Sequence, residues 1–439
     1  MRSIILIRAM GLLLPLLGAM ALWLWRMPAR RRATAVMLAC AWNLPALLMV
    51  NLLAMRYGWW QFGARGGLIM GVPADLCMGW AILWGAIPVL AFPRMRLMFV
   101  AVIMLCADLL LMPVCAPAVQ LGNRWLIGEA VALLFALLPA QALARWTTDD
   151  RLLKERALLQ AILFGGFLLG VIPAIIVEQT GGSLTAFLIK PLWLRSLLLQ
   201  LLAVFAILGL SAVQEFVVRG KGTPVPYDPP KRLVTSGVYA YVANPMQLSM
   251  CLLLAAWGLM LSSYWVIGAG VMGFIYSAGL AAWDEGGDLK IRYGSAWVAY
   301  RRTVRNWLPR WRPYVPERAR IYIAEGCEPC SQTRAWLERH SPIALEIVAA
   351  EDHPARDLRR ITYEASDRTV EEGVAAFARA LEHINLAWAF AGWSMRLPLV
   401  RQLIQVLIDA VGGAPREIKR RRCQRADVKS VPPAVAGGS

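Results

Sequence analysis

Residues 196–213 read Ser-Leu-Leu-Leu-Gln-Leu-Leu-Ala-Val-Phe-Ala-Ile-Leu-Gly-Leu-Ser-Ala-Val, with no charge from Ser196 to Val213. As a helix this run is about 27 Å long at 1.5 Å per residue, close to the roughly 30 Å hydrocarbon core of a bilayer. It sits inside a longer apolar stretch, 193–218, and similar stretches occupy 9–25, 33–55, 67–92, 97–118, 125–144, 157–177, 243–262 and 264–283. The expected fold is an all-α polytopic membrane protein of about nine transmembrane helices. The last two are joined at Ser262-Ser263-Tyr264, so short a link that they must form an antiparallel hairpin.

Composition agrees. Of 439 residues 58% are hydrophobic, mean hydropathy is +0.52, and 17% are charged, against about 25% in soluble domains. A soluble or disordered chain is excluded. Lys and Arg number 46 against 28 Asp and Glu, a net charge of +18. The positive residues fall between apolar runs, which is the pattern of membrane topology, so nucleic acid is not an expected partner.

Alternate loops differ in Lys and Arg. One set holds Arg26, Arg30, Arg31, Arg32, Arg94, Arg96, Arg145, Arg151, Lys154, Arg156, Arg219, Lys221, Lys231 and Arg232. The other holds Arg56, Arg65, Arg124, Lys190 and Arg195. The rich set is expected in the cytoplasm, which puts the N-terminus outside and the long C-terminal part inside, in a bacterial inner membrane. Ala19-Met20-Ala21 would suit signal-peptide cleavage, but the Trp-rich continuation and the Arg cluster from Arg26 favour a retained anchor. Residues 290–320 carry nine basic residues and one acid, Glu317, a belt suited to anionic headgroups.

The loop between the seventh and eighth runs holds Gly220-Lys221-Gly222-Thr223-Pro224-Val225-Pro226-Tyr227-Asp228-Pro229-Pro230, then Leu233-Val234, Gly237, Tyr239, Tyr241 and Asn244-Pro245-Met246. Its prolines fix an extended path with few donors, suited to a lid or rim at the surface. Asn244-Pro245 opens a helix, whose free N–H groups would favour an anion. After the hairpin come Asp284-Glu285-Gly286-Gly287-Asp288 and then Leu289, Tyr293, Trp297 and Tyr300 at helical spacing. From pattern alone these make an interfacial helix with one aromatic face.

In order and spacing, residues 193–313 resemble the membrane methyltransferases that include isoprenylcysteine carboxyl methyltransferase and the phospholipid N-methyltransferases. Gly220 to Pro226, Leu233-Val234, Gly237, Tyr239, Tyr241, Asn244-Pro245-Met246, Glu285, Leu289, Tyr293-Gly294, Tyr300, Val304 and Pro309-Arg310 carry the likeness. Three positions depart from the family pattern: Ala243 stands for Arg, Gly286 for the second acid, and Trp297 for a Tyr. The resemblance implies S-adenosylmethionine as methyl donor, bound on the cytoplasmic side by Gly237, Tyr239, Tyr241, Asn244, Pro245, Glu285 and Tyr300. Glu285 would meet the ribose or offset the sulfonium charge. Tyr239, Tyr241 and Tyr300 would stack on adenine or contact the sulfonium, and Asn244 would bond adenine or the amino-acid end. The expected acceptor is a lipid or lipid-linked carboxylate or amine entering from the membrane. The alternative is a membrane-anchored redox protein whose methyltransferase-like part is inactive or a carrier.

Within the first six runs, residues 1–185, Asp75, Asp108 and Glu129 lie in apolar sequence near Asn43 and Asn51. Acids in spans are costly and suggest an acceptor pocket or transport path; interhelical bonding at wet span ends explains them equally well.

Cys40, Cys77, Cys106, Cys115 and Cys251 stand singly in apolar runs and read as packing residues; Cys423 is a stray tail thiol. Cys327-Glu328-Pro329-Cys330 differs, because Ile321 to Ala324 reads as a strand and Ser331 to His340 as a helix. A helix N-terminus favours a thiolate at Cys327, with Cys330 as resolving thiol. Zinc would need two further ligands, and His340 and His353 are not joined by a second Cys pair, so no metal is expected. With Gly373 to Phe377, Trp388, Gly392-Trp393, Leu397-Pro398 and Pro415-Arg416, residues 319–416 resemble the DCC family of thiol–disulfide oxidoreductases. That resemblance implies a thioredoxin-like α/β cytoplasmic domain and a cytoplasmic redox partner. The stretch 386–412 is expected to supply its core helices. The expected domains are therefore 1–185, a methyltransferase core 186–315, a thiol domain 319–416, and a basic disordered tail 417–439.

Overall fold

The computed structural model describes residues 2–224 and 230–421, apart from the side chains of residues 280–286. The prolines and Tyr227 of 225–229, the tail beyond Arg421 with Cys423, and the side chain of Glu285 therefore lie outside the described residues. The chain divides into two compact units, Met1–Pro309 and Arg310–Ser439.

The first unit is a helical membrane protein. Among the described residues seven helices are long and apolar enough to cross a bilayer: α1 (Arg2–Arg26), α2 (Arg30–Tyr57), α3 (Ala74–Ala91), α4 (Leu97–Val114), α5 (Trp125–Thr148), α6 (Leu153–Gln179) and α7 (Leu192–Gly220). The hairpin helices α8 (Pro245–Leu261) and α9 (Tyr264–Gly279) are shorter. This corrects the expected nine full spans. α8 begins at Pro245, after a 3₁₀ turn at Gly237–Ala240 and a loop to Asn244. The third span also starts later than residue 67. Gly66, Gly67, Met70 and Gly71 all have positive φ and fold residues 68–73 into a tight β-hairpin before the helix begins.

Prolines are accommodated rather than avoided. In α5 and α6 a wide π turn, Leu133–Leu137 and Phe167–Val171, lies just before Pro139 and Pro173, which cannot donate a backbone hydrogen bond.

The loops sort into two ends, as alternating spans require. At one end β1 (Trp60–Phe62) pairs antiparallel with β4 (Val119–Leu121), flanking the small hairpin of β2 (Leu68–Ile69) and β3 (Val72–Pro73) in sequence. There the Met70 N–H donates to Glu178, and Lys190 donates to Ser262 at 2.7 Å. At the other end Asp150 receives Arg31 at 3.1 Å, Arg156 at 2.9 Å and Lys231 at 3.4 Å. Burial alone would raise the Asp150 pKa, but these three cations outweigh it and hold the carboxyl below its ordinary value. All three belong to the Arg-rich set of loops. Packing does not break at residue 185: Leu168 and Val177 of α6 share a buried cluster with Leu254 and Leu261 of α8 and Val266 of α9.

The second unit carries a four-stranded sheet of β5 (Ala319–Ile323), β6 (Leu345–Ala349), β7 (Thr362–Glu364) and β8 (Val370–Glu372), in order β6-β5-β7-β8. β5 and β6 are parallel and joined through helix α11 (Glu328–Arg339); β7 and β8 are antiparallel and lead into α12 (Val374–Leu381). Two expectations change here. α13 (Leu386–Arg396) buries Ala389, Gly392 and Trp393 as expected, but α14 (Pro398–Ile408) has no buried residue and exposes Leu399, Leu403 and Val406. The start of the tail is docked: Ile418 bridges Leu358, and Arg421 bonds Glu325 and Asp352.

α3 packs closely against α1 and α2, because Gly79 and Gly85 lack side chains where backbones meet. A Cβ on Gly79 would collide with the carbonyl of Gly11, and one on Gly85 would lie 2.8 Å from the Cys40 nitrogen. Small residues permit such approaches in membranes. Gly79→Leu is expected to destabilise the first unit by about 3 kcal/mol, measured as a lowered unfolding midpoint in detergent.

Candidate functional site

The segment from Gly237 to Met246 is built on a buried carboxylate. Glu215, near the end of α7 and 1% exposed, accepts from the Ser236 hydroxyl at 2.5 Å and faces the Arg219 guanidinium at 3.7 Å. Gly237 turns directly over it with φ +61°, and a Cβ there would lie 2.9 Å from the Glu215 carboxyl carbon. This explains the glycine both by conformation and by space. Glu215 escaped the sequence reading, although an acid closing an otherwise apolar span was the available signal.

Residues 237–240 form a 3₁₀ turn in which Tyr239 is 5% exposed and stacks on Phe216, ring centroids 5.7 Å apart. Tyr241 is fully buried. Asn244 then stands at the N-cap position of α8 without a side-chain capping bond, with Pro245 at the first turn. Helix α10 (Ala282–Thr303) brings the third motif segment. Leu289, Tyr293 and Trp297 are half-buried and Tyr300 is buried, while Ile291 between them is 87% exposed. The expected aromatic face is therefore real, and it turns inward even though Gly294 (φ +57°) interrupts the helix.

The three segments meet through specific bonds. The Tyr300 hydroxyl donates to the Tyr239 carbonyl at 2.8 Å, and the Tyr293 hydroxyl to the Pro230 carbonyl at 2.6 Å. The backbone N–H groups of Ala243 and Asn244 donate to the carbonyls of Arg305 and Asn306 at 2.9 and 3.2 Å. Gly237, Tyr239, Tyr241, Asn244, Pro245 and Tyr300 are thus gathered on one framework. The rings of Tyr239 and Tyr300 brace that framework rather than standing free as stacking faces. Among the described residues nothing hydrogen-bonds the buried Tyr239 hydroxyl or Gln247 Oε1.

In the second unit Cys327 is the N-cap of α11, and the Cys330 thiol donates to the Cys327 sulfur at 2.7 Å. Cys330 lies between two buried clusters, around Ile323 and Leu337 on one side and Tyr322 and Leu358 on the other. Burial, then the hydrogen bond and charge of Cys327, push its pKa up to about 12. The pair is therefore asymmetric: Cys327 stands at the helix start, and the inner thiol of Cys330 keeps its proton. Glu325, beside the pair, takes Arg334 at 3.3 Å and also binds Arg421.

The two histidines are engaged elsewhere. His340 Nδ1 meets the Trp336 carbonyl, while His353 Nδ1 accepts from Ala355 and Arg356 and its Nε2 bonds Glu364 at 3.0 Å. Among the described residues no group of three or more His, Cys, Asp or Glu could hold a metal ion.

Comparison with protein-family models, curated proteins and solved structures finds no match.

The thiol asymmetry has a direct readout. Between pH 7 and 9, iodoacetamide is expected to alkylate Cys327 and spare Cys330 by at least about tenfold, since a thiol titrating near pH 12 remains protonated throughout that window. Mass spectrometry of the reduced protein after timed alkylation checks this.

Proposed function

We propose that the first unit is an S-adenosylmethionine-dependent methyltransferase acting on a membrane-embedded lipid or lipid-linked acceptor, with the second unit as an attached thiol–disulfide oxidoreductase. The observation that carries this reading is the convergence of segments far apart in sequence: Pro230, Tyr239 and Asn244 joined to Tyr293, Tyr300 and Asn306 by short hydrogen bonds. That convergence would be unnecessary in a simple anchor.

When bound, the cofactor supplies an already activated methyl group, so the protein's task is to hold and aim rather than to activate. Asn244 and the start of α8 offer donors to its amino-acid end. The Tyr239 hydroxyl and Gln247 Oε1 offer buried polar atoms that a polar ligand would satisfy. Glu285 supplies the negative charge that matches a sulfonium. A carboxylate acceptor arrives ionised and needs no base. Lys231 and Asp150 meet at the Arg-rich end of the bundle; reading that end as cytoplasmic would give the site access to the side where the cofactor is made.

In the second unit Cys327 thiolate would attack a partner disulfide, releasing one partner thiolate and forming a mixed disulfide. Cys330 would then lose its proton and attack Cys327 sulfur. The partner leaves as a dithiol and the Cys327–Cys330 pair is left oxidised. The sheet order β6-β5-β7-β8, with a βαβ half followed by a ββα half, supports a thioredoxin-like assignment. A second reading, a redox protein with a silent membrane half, is favoured by Ala243 and Gly286, where the methyltransferase pattern has Arg and an acid.

Calorimetry of S-adenosylmethionine with the full chain in detergent separates the two. Micromolar binding is expected, weakened at least about tenfold (about 1.4 kcal/mol) in Asn244→Ala and Glu285→Ala and unchanged in Cys327→Ser. Tyr239→Phe is expected to weaken binding while leaving the unliganded protein as stable or slightly more stable, because it deletes a buried hydroxyl without a partner. No heat at millimolar cofactor from folded protein would overturn the methyltransferase reading.

A further inference from the structure

A second, separate feature lies at the opposite end of the first unit, beneath the β1–β4 pair. A cavity of about 50 Å³ is walled by apolar side chains together with Trp60, Phe62, Trp80 and Trp84, and Glu129 lines it. Glu129 is 3% exposed and Asp108, against which its carboxyl rests, is fully buried. Both Asp108 oxygens are taken by indole donors, Trp80 Nε1 at 3.0 Å and Trp84 Nε1 at 2.8 Å. The Trp60 indole is likewise used, donating to Asn51 at 2.9 Å. Among the described residues no donor reaches Glu129 Oε1, and neither carboxyl has a Lys, Arg or His partner.

These facts restrict what fits. Two carboxyls in mutual contact inside a bundle cannot both be charged without a compensating cation. The indole N–H groups of Trp60, Trp80 and Trp84 are spent on Asn51 and Asp108; beside the Asn51 amide and the Cys77 thiol the cavity offers ring surfaces and one acceptor carboxyl, whose oxygens disfavour an anion. A metal ion of the alkali or alkaline-earth type wants several oxygens, which aromatic and aliphatic walls do not supply. Aromatic faces with a single carboxyl instead match an alkylammonium, whose charge is attracted by ring faces and whose methyl groups suit apolar walls. The volume, a few water-sized spheres, matches a methylated or primary ammonium group.

We propose that this cavity is a binding site for a small organic ammonium group, recognised by Glu129 and the surrounding tryptophans. The group is either a free amine or the amine of a lipid headgroup. The site is independent of the methyl-donor reading, since it uses none of the same residues.

The test is calorimetry of the full chain in detergent with methylammonium, trimethylammonium and sodium chlorides at matched ionic strength. Saturable binding is expected for at least one ammonium and not for sodium. Glu129→Gln, which keeps a hydrogen bond available to Asp108, is expected to weaken it at least tenfold. Ala132→Leu, which fills the cavity wall and leaves both carboxyls in place, is expected to abolish binding and stands as the deciding variant should Glu129→Gln fail to fold. A headgroup source is read in nanodiscs: phosphatidylethanolamine or phosphatidylcholine, but not phosphatidylglycerol, would raise the unfolding temperature of the native protein and not of Ala132→Leu. No saturable response to either free amines or amine lipids overturns the proposal, as does equal binding of sodium or undiminished binding in Ala132→Leu.

Discussion

Hydrocarbon offers no hydrogen-bond partner, so backbone polar groups carried into the bilayer must be satisfied within the protein. Much of the first unit follows from that constraint acting around α3. Gly79 and Gly85 let its backbone approach α1 and α2. The Gln141 amide of α5 then reaches the buried carbonyls of Trp84 and Gly85 at 2.6 and 3.2 Å, while the indoles of Trp80 and Trp84 close on Asp108. The same rule repeats where Ser249 of α8 donates to the Phe205 carbonyl of α7 at 2.6 Å. Close packing and internal hydrogen bonding are therefore one device, because each polar contact needs the approach that a small residue permits.

The two ends of the bundle carry different chemistry. One end is basic and is tied by Asp150 to Arg31, Arg156 and Lys231, and it continues into the loop that ends at Asn244-Pro245. The other end is capped by short β-pairs over the tryptophan cavity. Glu215 and Glu129 play contrasting parts within this division. Glu215 is committed to Ser236 and Arg219 and holds a loop in shape, whereas among the described residues Glu129 receives no donor at Oε1. Burial alone does not make an acid functional; what matters is whether the protein has already spent it.

Much of this was legible in the sequence. Apolar length gave the long spans, and three cations that loop charge grouped together, Arg31, Arg156 and Lys231, meet at one acid. The spacing of Leu289, Tyr293, Trp297 and Tyr300 gave the inward face of α10. The Cys327 motif gave a helix start, because Pro329 suits a first turn. What escaped depended on partners distant in the chain or on local turn chemistry. The third helix starts late because glycines fold a hairpin first. Glu215 gains meaning only when Ser236 and Gly237 return to it. The docking of Ile418 on Leu358 joins segments sixty residues apart and has no periodic signature. The exposed face of α14 looked like core because its period is helical, and period alone does not say which side is covered.

The basic end of the membrane unit is proposed to transfer methyl groups to a molecule held in the bilayer. The most direct measurement is incorporation of label from methyl-labelled S-adenosylmethionine into the organic-extractable fraction of native membranes, catalysed by the purified full chain in proteoliposomes. The account expects time-dependent label in that fraction with the native protein and with Cys327→Ser, and none above background with Asn244→Ala. Absence of label from every membrane fraction, with folded protein and saturating cofactor, would contradict it.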